Sequence, residues 1–237
     1  MKTELQKRMF VAIATNKLKS VEQMTEEGFP HETLWYHGRT SLHVAIDERK
    51  KKVFEYLLKF GVDPNVRDQQ FGKAPIHLAA GEGYTDFVKL LLEHGADRNL
   101  KDENSFTALF QAVFGGHLEV TRVLVDAGLG VHDVPAHHGT MLGAAVSQSR
   151  NGELTEYLIQ RGCDPNESRG RSSPLGDAIQ QFVVCKQYPR LRGFSLFPHP
   201  PNVELLLSHG ADPNFRFPED AEEPMRGKTI IEYAREG

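Results

Sequence analysis

The sequence predicts an all-α solenoid of stacked helix-turn-helix units with projecting β-turn or hairpin loops. Three observations lead to this fold class. Two short phrases recur along the 237 residues with a period of 33. Each period holds two segments with the apolar spacing of a helix, and a polar segment separates one period from the next. Because a unit of this length is too small to bury a core alone, successive units must stack on one another.

The first helix of each unit opens with a phrase whose sixth residue is Ala. In most copies the phrase begins with Thr or Ser, whose hydroxyl accepts a hydrogen bond from an unpaired backbone N–H at a helix start. Pro75 and Pro174 stand at the first helical position, where a missing N–H is harmless. The copies, with spacings of 34, 33, 33, 33 and 56, begin at Thr40, Ala74, Thr107, Thr140, Ser173 and Thr229.

The second helix of each unit is rich in Leu and Val and ends at a Gly. Glycine is favoured there because it adopts the left-handed conformation at no steric cost. In most units this Gly also starts a phrase of the form Gly-Xaa-Asp-Xaa-Asn. The helix-ending residues are Gly61, Gly95, Gly128, Gly162 and Gly210.

Residues 73–80 (Lys-Ala-Pro-Ile-His-Leu-Ala-Ala) and 90–97 (Leu-Leu-Leu-Glu-His-Gly-Ala-Asp) resemble the ankyrin repeat. The resemblance covers nearly the whole chain and implies a single ankyrin-repeat domain over 1–237. Its units span about 5–34, 35–68, 69–102, 103–135, 136–168 and 169–223, with a half unit at 224–237. Since that half unit lacks a second helix, we expect either a natural half-repeat cap or a longer parent protein.

An insertion at 185–201 separates the two helices of the sixth unit. Long insertions in repeat proteins form loops that are either functional or merely tolerated. A tolerated loop remains one interpretation. The other is a contact element, favoured by residue types that anchor interfaces: Tyr188, Arg190, Phe194 and Phe197.

The net charge and the cysteine content of the sequence indicate which classes of partner and which cellular compartments to expect. The formal net charge is −4, which gives no global basic field for nucleic acid or an anionic membrane surface. Two cysteines, Cys163 and Cys185, are too few for a disulfide framework. The sequence has neither a signal peptide nor an apolar run long enough to span a bilayer. We therefore expect a cytoplasmic or nuclear monomer that neither binds nucleic acid nor inserts into a membrane.

The sequence offers no motif for catalysis, for a metal or for a cofactor. A phosphate-binding Gly-rich loop, a Ser-His-Asp elbow and a His-Glu-Xaa-Xaa-His helix are all missing from it. The family resemblance explains His43 and His77, whose rings tie neighbouring turns together. The adjacent pair His137 and His138 falls short of the three or four ligands that a defined metal site needs.

The resemblance implies a non-catalytic protein–protein interaction module that acts as a scaffold, adaptor or inhibitor. Its partner protein or peptide would bind the turn tips and first helices, and we expect a partner segment across units two to four. The residues expected to contact a partner there and farther along the chain are Trp35, Tyr36, His37, Arg39, Asp47, Glu48, Gln70, Phe71, Lys73, Glu82, Glu103, Asn104, Phe106, Phe114, His137, Arg169 and Arg171, with Tyr188, Arg190, Phe194 and Phe197 of the insertion.

The alternative function is that of a recognition or regulatory domain in a larger enzyme whose catalytic segment lies outside this chain. The resemblance also implies possible hydroxylation at a recurring Asn of the turn phrase. The matching residues are Asn65, Asn99, Asn166 and Asn214.

Overall fold

A computed structural model of the chain describes residues 2–32, 38–134, 139–148, 152–169, 173–179 and 201–214. These residues form helices joined by turns, and none of the described residues belongs to a β-strand. The helices are α1 (Lys2–Ala14), α2 (Leu18–Glu26), α3 (Ser41–Asp47), α4 (Lys51–Phe60), α5 (Pro75–Gly81), α6 (Thr85–Glu93), α7 (Ala108–Phe114), α8 (Leu118–Asp126), α9 (Met141–Gln148), α10 (Glu153–Gln160), α11 (174–179) and α12 (Pro201–Ser208).

Tertiary contacts divide the chain into two compact units, Met1–Leu129 and Gly130–Gly237. The first unit holds α1 to α8 as four helix pairs. Its first helices α1, α3, α5 and α7 pack in sequence as one layer, and its second helices α2, α4, α6 and α8 pack as another. The predicted helix pairs and their stacking are confirmed within this unit.

The core of the first unit lies between the two helix layers. Each first helix contributes small and aliphatic residues, and each second helix contributes larger ones at helical spacing. Fully buried members include Leu42, Phe54, Ile76, Leu91 and Leu109. Removal of such side chains from water drives the stacking, because no single pair of short helices has enough apolar area of its own.

The predicted helix signals act as expected at several helix ends, but the Thr40 hydroxyl contacts Nδ1 of His43 at 2.8 Å and makes no cap bond to the backbone. The side chain of Thr107 caps α7 by accepting a hydrogen bond from the backbone N–H of Phe110 at 3.2 Å. In the second unit Thr140 and Ser173 accept equivalent bonds at 2.9 and 3.1 Å. Gly61 ends α4 in the left-handed conformation with φ of 96°, which a side chain would disfavour.

The described residues of the second compact unit include helices α9 to α12. Helices α9 and α10 pair, and Asn166 links the turn after α10 to the turn after α12. The amide nitrogen of Asn166 donates to the Gly210 carbonyl at 2.8 Å, and its amide oxygen accepts from the Asp212 N–H at 2.7 Å. The insertion at 185–201 lies outside the described residues apart from Pro201. Whether the chain forms one domain stays a prediction.

Candidate functional site

The candidate site in the first unit is the surface formed by two turn tips and the ends of the first helices. We call it the tip surface. The tips lie between α4 and α5 and between α6 and α7, and each projects just before a first helix. Its members are Gln70, Phe71, Lys73, Glu82, Glu103, Asn104, Phe106 and Phe114, which the sequence analysis predicted.

Buried carboxylates hold both tips in shape. One oxygen of Asp68 accepts hydrogen bonds from the backbone N–H groups of Gln70, Phe71 and Lys73 at 2.8–3.2 Å. Asp102 does the same for its own tip, and its second oxygen accepts from the Gln111 side chain at 2.9 Å. Since these carboxylates are buried and multiply bonded, they hold the backbone of each tip in one conformation.

Backbone hydrogen bonds connect neighbouring tips. The Gln69 N–H donates to the Gly38 carbonyl at 2.9 Å, and the Glu103 N–H donates to the Phe71 carbonyl at 3.0 Å. An isolated antiparallel bridge between Lys101 and Thr107 closes the second tip as a hairpin turn. The predicted hairpin loops are therefore present, and adjacent tips form one continuous support.

Buried histidines tie helices α3 and α5 to the tips that follow them. The Thr40 N–H donates to Nδ1 of His43 at 3.3 Å, so Nε2 carries the proton and donates to the Lys73 carbonyl at 2.9 Å. His77 is held in the same way by the Ala74 N–H and the Leu100 carbonyl. Burial lowers the pKa of His43 to about 4 and also lowers the pKa of His77. Both rings are neutral structural connectors, as the resemblance implied.

Three phenylalanines at spacing of four residues form a stack along α7. The Phe106 ring lies 4.6 Å from the Phe110 ring, and the Phe110 ring lies 6.3 Å from the Phe114 ring, with both pairs close to parallel. Phe110 is buried, Phe106 is half-buried, and Phe114 is 55% exposed. The stacked rings therefore connect the tip at Phe106 with the exposed ring of Phe114 at the end of α7.

Phe71 provides the second exposed ring of the tip surface. It is 43% exposed, and the Lys73 ammonium lies 5.7 Å from its ring centre. Helices α5 and α7 pack directly on each other, so the tip of Phe71 and the helix that ends at Phe114 belong to neighbouring repeats. Two large apolar side chains on one surface are a feature of protein-binding sites.

The charged residues predicted for the site differ in their ion pairing and in their exposure. Arg39 and Asp47 form an ion pair with each other. Glu48 and Glu82 follow the last residues of α3 and α5, where the helix dipole disfavours a carboxylate. Glu82 and Glu103 are exposed on the surface. Arg39 and Asp47 therefore restrain each other, and contact of any of these charged residues with a partner stays a prediction.

Several predicted contact residues lie elsewhere. Arg169, in the second unit, pairs with Glu167 at 2.9 Å and donates to the Val134 carbonyl at 3.1 Å. Residues outside the described part of the chain are Trp35, Tyr36, His37, His137, Arg171, Tyr188, Arg190, Phe194 and Phe197.

The asparagines predicted as hydroxylation sites occupy matching turn positions. Asn65 links consecutive turns, because its side chain donates to the Gly95 carbonyl at 3.3 Å and accepts from the Asp97 N–H at 2.8 Å. Asn166 has the same arrangement in the second unit. The backbone N–H groups of Asn99 and Asn214 each bond the Asp two residues earlier.

The basic run at 49–52 is partly engaged with the next repeat. The Arg49 guanidinium donates to the Tyr84 hydroxyl at 2.6 Å and lies 4.7 Å from its ring centre. Lys51 pairs with Asp86 at 2.7 Å. In the described ranges, no group of three His, Cys, Asp or Glu side chains is arranged to hold a metal ion.

Sequence reasoning missed several residues that shape the site. Asp68 and Asp102 stand 34 positions apart at equivalent places, a spacing that could have identified them. Phe110 stands where two sister units have His, and its spacing from Phe106 was also visible. His31 gave no such signal, although its ring is buried between Thr25 and Ser41.

Comparison with known proteins establishes the family. A model of three ankyrin-repeat copies matches residues 60–134 and 76–169, and a model of the single ankyrin repeat matches residues 37–69. Together these matches cover more than half of the chain. The chain therefore belongs to the ankyrin-repeat family, whose members are generally non-catalytic protein–protein interaction modules.

Solved structures show the same fold. The ankyrin-repeat domain of human ASB11 is 20% identical with a TM-score of 0.75, and the match covers 94% of this chain and 89% of that one. The ankyrin-repeat domain of Bcl-3, a member of the IkappaB family, is 21% identical with a TM-score of 0.70, covering 97% and 98%. No curated protein sequence matches this chain. In the part of the chain that the structure describes, no helix is long and apolar enough to cross a membrane.

Proposed function

We propose that this chain is a non-catalytic interaction module, acting as a scaffold, adaptor or inhibitor, that binds a partner protein through the tip surface. The observation that carries this proposal is the pair of exposed rings, Phe71 and Phe114, on neighbouring repeats. Large exposed rings lose unfavourable contact with water when a partner covers them, and aromatic residues dominate binding energies at interfaces.

Support for the proposal also comes from the rigidity of the surface. The Asp68 and Asp102 carboxylates and the hydrogen bond between Glu103 and Phe71 hold the tips in one conformation. A pre-organised surface loses less conformational entropy on binding. We also propose that the module works in the cytosol or nucleus, which the low cysteine content favours.

The test compares three forms of the full chain in affinity capture with quantitative mass spectrometry. The double variant Phe71→Ala and Phe114→Ala removes both exposed rings of the tip surface. The matched control is Phe60→Ala, which removes a ring that is 53% exposed but belongs to the second-helix layer. A partner that is lost with the double variant and retained with the control supports the proposal.

The proposal also predicts by how much the double variant weakens binding of the partner. Alanine replacement of two interface anchors should weaken binding of that partner by at least about thirtyfold, since each anchor contributes about 1 kcal/mol or more. Thermal unfolding should change little, because about half of each side chain is already exposed in the folded chain. Equal loss of the partner with Phe60→Ala, or retention with the double variant, would contradict the proposal.

A further inference from the structure

A groove of about 300 Å³ lies between α1 and α2, away from the tip surface. On α1 its lining residues Lys7 and Arg8 stand four and three positions before Val11. They occupy the helix face opposite to the fully buried Met9 and Ile13. The groove is therefore an outward-facing feature of the first helix pair.

The groove combines an apolar floor with a cationic rim. Val11 is 51% exposed, and Met24 closes the floor from α2. An exposed Val on a helix is common, but here it lies between long cationic side chains whose methylene groups extend the apolar surface. Such a floor suits one aliphatic side chain of a partner.

The charge of the rim is opposite to that of the whole protein. Lys7, Arg8 and Lys17 line the groove against one carboxylate, Glu4, although the chain carries a net charge of −4. All three cations are exposed, and within the described ranges no ion pair engages any of them. The fold itself does not use these charges, so they are free to attract an anionic ligand.

We propose that the α1–α2 groove is a second interaction surface, which binds an acidic segment of a partner protein. One aliphatic side chain of that segment packs against Val11, while flanking carboxylates pair with Lys7, Arg8 and Lys17. Arginine suits this role because its guanidinium can bind a carboxylate through two parallel hydrogen bonds. The proposal is independent of the tip surface, since it uses different residues on different helices.

The probe is a fluorescent peptide with a central Leu flanked by Glu and Asp residues, measured by anisotropy against the full chain. Two matched peptides replace either the acidic residues by Gln and Asn or the central Leu by Gly. We expect the acidic Leu peptide to bind, and its affinity to fall several-fold between about 0.05 and 0.3 M salt, because exposed charges are screened. Both matched peptides should bind at least about tenfold more weakly.

Variants of the protein locate the binding. The double variant Lys7→Gln and Arg8→Gln should weaken binding of the acidic peptide about tenfold or more. Lys52→Gln with Lys59→Gln is the control, because it removes the same charge from exposed positions on α4. The reversal Lys7→Glu with Arg8→Glu should reject the acidic peptide and bind a Lys-containing counterpart, which a merely unfolded variant would not do.

Val11→Ser tests the apolar floor and should reduce affinity for the Leu peptide but not for its Gly counterpart. Equal weakening by the α4 control would overturn the proposal, because it would indicate unspecific charge attraction. Tighter binding of a single-stranded oligonucleotide than of the acidic peptide would also overturn it. So would a concentration-dependent dimer that Val11→Ser converts to a monomer, since a second copy of the chain would then occupy the groove.

Discussion

Acidification from pH 7.5 to pH 5 is expected to destabilise the first unit through its buried histidines. The Thr25 hydroxyl donates to the Val21 carbonyl at 2.6 Å, so it must accept from Nε2–H of His31, while Nδ1 accepts from Ser41. His43 has the same neutral form. In both rings a second proton would remove the Nδ1 acceptor and place a charge in the core.

The size of this effect follows from the two pKa values. Burial lowers the pKa of His31 and of His43 from 6.5 to about 4. Above pH 6.5 both rings are neutral in the folded and unfolded chain, and stability is unaffected. Between pH 6.5 and 4 the unfolded chain takes up the protons first, which costs stability about 1.4 kcal/mol per pH unit for each ring.

At pH 5 each ring therefore lowers the free energy of unfolding by about 2 kcal/mol, or about 4 kcal/mol for the two. His77, whose pKa is also lowered, acts in the same direction. A loss of this size is a large fraction of the 5 to 15 kcal/mol typical of folded domains. Since most carboxylates stay ionised down to pH 5, histidine protonation dominates this window.

The assay is urea unfolding followed by circular dichroism at several pH values between 7.5 and 5. The variant His43→Gln supplies a side chain that can accept and donate hydrogen bonds but does not titrate. Its stability should fall less steeply with pH, by about 1.4 kcal/mol per pH unit below 6.5. Unchanged stability between pH 7.5 and 5, or an unchanged slope in the variant, would refute the reasoning.

Three further predictions concern the repeat scaffold. Gly83→Ala should lower the unfolding free energy by at least about 1 kcal/mol, because φ is +73° and an added Cβ would lie 2.5 Å from Nδ1 of His117; an unchanged melting temperature would contradict this. Asp102→Ala should cost about 2–3 kcal/mol, because it leaves two backbone N–H groups of its tip and the side-chain amide of Gln111 without an acceptor; urea unfolding measures the loss, and a cost below about 0.5 kcal/mol would show that water replaces the carboxylate. Mass spectrometry of protein from its native cells should find one added oxygen on Asn65, and a peptide of unmodified mass would exclude it.

The helix pairs could be predicted from sequence because their signals are local and repeated. A Thr such as Thr107 caps a helix through its own backbone neighbours, and a Gly such as Gly61 ends one through its own φ. Neither effect depends on distant residues. Because the same signals recur every 33 residues, the sequence also predicts that the helix pairs stack on one another.

The candidate site was predicted less completely. The sequence indicated that aromatic residues cluster near the tips, yet it could not distinguish Phe71, which is exposed, from Phe106, which stacks on Phe110. Likewise the sequence did not indicate that Arg39 and Asp47, both expected to contact a partner, form an ion pair with each other. Exposure and pairing depend on which side chains a neighbouring turn brings close.

The sequence by itself indicated the repeat, the starts of the first helices, the ends of the second helices and the family resemblance. Only the tertiary structure decided which charges remain unpaired and which histidines are buried, such as His31 between Thr25 and Ser41. The physical reason is the distance along the chain over which each interaction acts. Caps and apolar spacing act within a few residues, but burial and ion pairing arise where stacked repeats bring together side chains about 30 positions apart, as for His43 and the Lys73 carbonyl.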